Sequence, residues 1–236
     1  MTATATRRDR LRAQTTSEIK QHAWRILADT GAADLSLRAV ARAMGMAPSA
    51  IYRYFPSRND LLTELIVDGF DSLTEAVSAA YDEWRAQDAT PGAADAFLHV
   101  AKAQRRWALA HPTEYRFIFS TSIPDYVGNE QTTAASVRAS MVLLSIMVDK
   151  VNAGAVDLDR IDAVLTDELR SQLMTWSRAG GCHLPAPALA AAMWCYSALH
   201  GAVGLEVNGH LPPSLQGSEA LFESTIRNVM RRITPE

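Results

Sequence analysis

An all-α fold is predicted for this 236-residue chain by three features of its sequence. Ala, Leu and Arg, all good helix formers, are abundant. Aromatic residues make up only 7%, and no run of alternating β-branched residues marks a strand. Apolar residues recur at helical spacing between turns marked by Gly and Pro. With 48% hydrophobic and 21% charged residues, the chain can bury a globular core of one or two domains.

Met1 to Gln14 sets Arg7, Arg8, Arg10 and Arg12 against Asp9 alone, with no apolar signal-peptide core behind them. Residues 1–14 therefore read as a basic flexible arm. Such an arm lies along phosphates, reaches a minor groove or is an idle solvated tail. Thr15 and Glu18 then have capping-box spacing for a first helix, whose positions Ile19, Ala23, Ile26 and Leu27 are apolar before Gly31 ends it.

The stretch Ser36 to Phe55 predicts two short helices joined by a tight turn. A steep helix crossing needs a small residue at the contact and a turn residue tolerant of positive φ, and Ala41 and Gly45 meet those needs. Val40, Met44, Met46 and Ile51 fall on the inner side, while Arg38, Arg42, Ser49 and Arg53 are left outside. Ser36 suits an N-cap, and Pro48 suits the first turn of the second helix. Pro56 breaks the chain, and Ser57 with Asp60 starts another helix.

Here the sequence resembles the DNA-binding domain of the tetracycline-repressor (TetR) family, whose hallmark is a helix-turn-helix ending in Tyr-x-x-Phe-x-x-Lys before a long helix. In this chain the hallmark stands as Tyr52, Phe55 and Arg58, with Arg replacing Lys, and Ala47 replaces the usual Ser cap of the second helix. The resemblance implies a helix-turn-helix domain over 15–60 and a helical ligand-binding and dimerisation domain over 61–236. It assigns Arg38, Ser49, Ala50 and Arg53 to the face that reads bases, and Ser36, Tyr52 and Arg58 to phosphate contacts. The charge agrees, for residues 1–65 hold ten Lys or Arg against six Asp or Glu, whereas the remainder carries −7 of the overall −3 balance.

Apolar spacing from Leu61 to Val77 predicts a long helix running toward Trp84, interrupted over Ala89 to Gly92. Further helices are expected from about 92 to 110, from Thr113 to Ser120, from Thr132 to Asn152 and from Leu158 to Arg178, with a loop from Ser122 to Asn129. Residues 186–205 contain no charged side chain, a length sufficient to span a bilayer. The central Trp194, with His200, Ser197 and many Ala, argues for a buried helix instead, so no membrane partner is expected. Trp194 to Glu206 also resembles the Trp-His-Gly C-terminal subfamily of TetR proteins, in which the last two long helices form a homodimer. By that resemblance the helices of roughly 186–208 and 218–232 pair with a twofold mate, and Ala198, Gly201, Ala202 and Gly204 allow close approach, unless they are ordinary core positions.

No catalytic motif is present, and neither Cys182-His183 nor Cys195 with His200 has zinc-ligand spacing. An enzyme, a metal site and a cofactor are accordingly not expected, and two cysteines without a signal peptide fit reduced thiols in the cytoplasm. The family resemblance implies a cavity for an unidentified small-molecule effector, with Trp107, Tyr115, Phe119, Met141, Met147 and Trp176 as candidate lining, or else as plain core. The expected function is a homodimeric repressor that binds a near-palindromic double-stranded operator and is released by its effector. The alternatives are an activator, a corepressor-dependent regulator or a nonspecific DNA-binding protein.

Overall fold

The computed structural model describes residues 6–86, 94–120, 122–179 and 184–235. Among them there are helices and no strands: α1 (Arg7–Thr30), α2 (Leu37–Ala43), α3 (Pro48–Ile51), α4 (Arg58–Ala86), α5 (Ala94–Ala110), α6 (Pro112–Phe119), α7 (Glu130–Asn152), α8 (Leu158–Asp162), α9 (Asp167–Ala179), α10 (Ala186–Val207) and α11 (Glu219–Ile233). Residues 1–5 of the expected arm, the interruption over Ala89 to Gly92, and the Cys182-His183 pair lie outside the described residues.

These elements form two compact units, one of residues 1–71 with 111–136 and the other of 72–110 with 137–236. Compactness thus groups the chain differently from the functional division expected at residue 60, because α6 packs on α1 and α4. In the first unit the Trp24 ring meets Phe117 edge-on at 5.4 Å, and Phe70 meets Phe119 at 5.6 Å. A Cβ at Gly69 would stand 3.0 Å from the Ile118 side chain, so glycine permits α6 to approach α4 this closely. Ile19, Ala23, Leu35, Val40, Ala41, Ile51, Leu61, Leu62 and Leu65 make the shared core.

Two helix boundaries correct the expectations. The stretch Arg7 to Gln14 is not a flexible arm but the start of α1. Thr6 and Asp9 form the capping box, with the Asp9 amide donating to Thr6 Oγ1 at 3.2 Å and the Thr6 amide donating to Asp9 Oδ2 at 3.1 Å. Thr15, mid-helix, donates its hydroxyl back to the Leu11 carbonyl instead. The single helix expected over Leu158 to Arg178 is two, because Thr166 caps a new start by accepting from the Leu169 amide at 3.2 Å.

In the second unit α10 packs against α5, α8, α9 and α11. It is long and apolar enough to cross a bilayer by length and composition. Here its run Ala186 to Ala191 is buried, followed on the same inward side by Cys195, Leu199, Val203 and Glu206. Glu206 is a buried charge answered by Arg105 of α5, whose Nε and Nη2 each donate to a carboxylate oxygen at 2.7 Å. A bidentate pair of this kind satisfies both ions at once.

His200 lies midway along α10, with its Nε2 3.3 Å from Gln104 Nε2 and its ring 4.2 Å from that of Tyr196. Burial pulls its pKa down to about 4 from an ordinary 6.5. The unfolded chain takes up this proton as pH falls through 6.5, whereas the native protein resists until about 4, so stability declines across that window. Urea titrations at pH 7.5 and pH 5 should show a larger midpoint drop for the native sequence than for His200→Gln. Equal drops would mean that His200 titrates normally.

Candidate nucleic-acid interface

Local sequence builds the helix-turn-helix as expected. Ser36 caps α2 by accepting from the Ala39 amide at 3.1 Å, and the turn after it passes through Gly45 at φ 67°. In that left-handed conformation a β-carbon would be strained. Pro48 opens α3 and Ala47 provides no side-chain cap. The helical hydrogen bonding of α3 ends at Ile51, and turns carry the chain on to Phe55, shorter than the helix expected over Pro48 to Phe55.

Ile51 and Phe55 face inward and are buried, which leaves Arg38, Ser49, Tyr52 and Arg53 exposed, and Ser36 and Ala50 half-buried. Tyr52 is 46% exposed, enough for its hydroxyl to reach a partner outside the protein. The Ser36 oxygen is occupied as a cap acceptor, but a hydroxyl in that position still has its proton to donate.

Arg58, expected at a phosphate, is also engaged within the fold. Its Nε donates to the Leu35 carbonyl at 2.7 Å, Nη2 to Ala32 at 2.7 Å and Nη1 to Pro124 at 3.2 Å. A guanidinium engaged by three main-chain oxygens fixes the α1–α2 and α6–α7 connections to the start of α4. Neighbouring bonds add to this knot, with Asn59 Nδ2 donating to the Asp125 carbonyl at 3.4 Å and Thr63 Oγ1 2.9 Å from the Tyr126 hydroxyl.

Tyr54 joins the site beyond the residues that the sequence assigns to it, and Arg12, expected in the basic arm, is brought against it. Arg12 Nη2 donates to the Arg53 carbonyl at 3.0 Å, and its guanidinium carbon sits 5.4 Å from the Tyr54 ring centroid. The arginine thereby holds the end of the reading segment from the side of α1. The signal in the sequence is the Thr6-x-x-Asp9 spacing, which extends α1 far enough for Arg12 to occupy this position.

The candidate effector-lining residues fall in both units. Tyr115 and Phe119 belong to the first unit, with ring centroids 5.0 Å apart. Trp107, Met141, Met147 and Trp176 belong to the second. Trp107 and Met147 are buried, with the Trp107 Nε1 donating to Ser72 Oγ at 3.0 Å. Met141 and Trp176 are 47% and 50% exposed, so neither is enclosed as a cavity wall would be. Of the small residues expected at a dimer contact, Gly201 is exposed and a Cβ there would meet nothing within 4 Å, while Ala198, Ala202 and Gly204 are half-buried.

Two short helices crossed at a left-handed glycine, with arginines and hydroxyls on the open side, define a helix-turn-helix DNA-binding regulator. Residues 19–65 match the family described as bacterial regulatory proteins, tetR family, and residues 97–229 match the tetracyclin repressor-like C-terminal domain. The HTH-type transcriptional regulator Rv1816 of Mycobacterium tuberculosis is 35% identical over 169 residues, which are 72% of this chain and 68% of that protein. The crystal structure of SCO4313 superposes with a TM-score of 0.76 at 33% identity, covering 95% of this chain and 98% of that one. A TetR family transcription regulator from Marinobacter aquaeolei VT8 shares the fold at a TM-score of 0.62 and 15% identity, over 96% of this chain and all of that one. The chain belongs to the TetR family of transcriptional regulators, which are not enzymes.

Proposed function

We propose that this regulator is a repressor that binds a near-palindromic operator as a homodimer in the cytoplasm and is released by a small-molecule effector. The observation that carries the reading is the open face of α2 and α3, where Arg38, Ser49 and Arg53 are exposed while Ile51 and Phe55 lock the same segment from behind. Two copies of α3 would enter successive major grooves about 34 Å apart. Support for pairing comes from α10, where Met193, Ser197, Gly201 and Leu205 recur every four residues on an exposed stripe, with Leu205 at 46% exposure. The effector reading rests on membership of the family. Because α4 is one helix from Arg58 to Ala86, a shift along it would move the reader directly.

Selection of duplexes from a random pool at near-physiological salt tests the reading. An inverted repeat with fixed half-site spacing is the expected product, and unpatterned DNA would overturn it in favour of nonspecific binding. On the recovered site, Arg38→Ala or Arg53→Ala should cost about 1 to 3 kcal/mol and relax the base preference at one position of each half-site. Equal losses on random DNA would remove the base-reading role of the substituted arginine.

A further inference from the structure

We propose that the first part of α1, Arg7 to Glu18, is a second DNA-contacting element, and that the cleft between it and the reading segment seats a phosphate of the DNA backbone. The proposal rests on the DNA-reading role of α3 and extends the interface beyond it. The cleft is lined on one side by Arg7, Arg8 and Arg12 and on the other by Met46, Ala50 and Arg53. Among the described residues no carboxylate lines it, whereas the neighbouring cleft across α1 contains Asp9 and Asp68. Four arginines lining an acid-free opening match an oxyanion, and Arg is suited to phosphate by its planar set of donors.

The position of the cleft selects DNA as the source of that phosphate. Ala50 and Arg53 belong both to its wall and to the face offered to bases, so a duplex read by α3 carries its backbone past the opening. The element is also held ready. Asp9 is the one acid between Arg7 and Arg12, and its carboxylate is turned back onto Thr6, accepting from the Thr6 amide and from Oγ1 at 2.6 Å. Those bonds hold the Asp9 pKa below its ordinary value. Arg12 is tied to the Arg53 carbonyl and to Tyr54, which fixes the spacing of the two walls. The stretch matched by the N-terminal family begins at residue 19, twelve residues after α1 starts, so this wall is a feature of the chain outside that match.

The test measures the affinity of the full chain for the selected duplex across a series of salt concentrations. The R7A/R8A variant should bind more weakly on selected and random duplexes in similar proportion. The slope of log K against log salt should become shallower by roughly 0.9 for each phosphate that the variant no longer neutralises. R7K/R8K should restore most of the slope, and R231A/R232A, which removes two exposed charges from the other end of the chain, should leave it unchanged. Both substituted arginines in α1 are exposed, and far-UV circular dichroism will report whether helicity is retained. A native protein that binds the selected duplex, beside an R7A/R8A variant with the same slope, overturns the inference and leaves α3 as the reader. A native protein without salt-dependent duplex binding overturns the DNA-reading role of α3 and this inference together.

Discussion

Arg105→Met is expected to lower the unfolding free energy by about 3 to 5 kcal/mol, because it strands the Glu206 carboxylate without its partner. The two side chains are only 10% and 3% exposed, and both carboxylate oxygens accept from the same guanidinium. The loss extends further, since Arg105 Nη2 also donates to the Gly217 carbonyl at 3.2 Å and the guanidinium lies 5.5 Å from the Phe222 ring centroid. One side chain therefore joins α5, α10 and the loop before α11. Urea denaturation followed by circular dichroism measures the effect. The double variant Arg105→Met with Glu206→Leu should recover much of the stability, since an apolar pair carries no desolvated charge. If the double variant is no more stable than the single one, the cost lies in packing and not in the orphaned carboxylate.

Arg58→Ala should cost on the order of 2 to 3 kcal/mol in stability and weaken binding to every duplex sequence alike. The expected loss of stability has its reason inside the fold. Removing the guanidinium leaves the carbonyls of Ala32 and Leu35 without this donor and frees the connection at Pro124. The α1–α2 connection then loses its brace to the start of α4. Thermal denaturation and duplex titration together distinguish the two origins. A variant with native stability but weakened binding would return Arg58 to the phosphate-contacting role that the family hallmark implies.

Arg58 also shows where sequence reasoning stops. Its position in the hallmark is legible, but its three acceptors lie 23, 26 and 66 residues away along the chain, and no local pattern points to them. The reader itself is legible because its determinants are short-range. The Ser36 cap, the Gly45 turn and Pro48 each act within a few residues, and each takes the expected conformation. The start of α1 is ambiguous in sequence because two capping-box spacings occur in one unbroken helical stretch, and the outer one, at Thr6, forms the cap. The break between α8 and α9 is hidden by apolar spacing that continues through it, with Leu158, Ile161, Leu165, Leu169 and Leu173 all in helical register. For effector residues the sequence offers only side-chain type, which says nothing about direction, and so exposed Met141 and Trp176 fall in one group with buried Tyr115.

The discontinuous first unit sets a rule for exchanging DNA specificity between regulators. A graft limited to residues 1–60 would leave behind Phe117, which meets Trp24, and Pro124, which accepts from Arg58. The transplantable module is made of two pieces of chain, residues 1–71 and 111–136, and a hybrid that keeps both retains these partners.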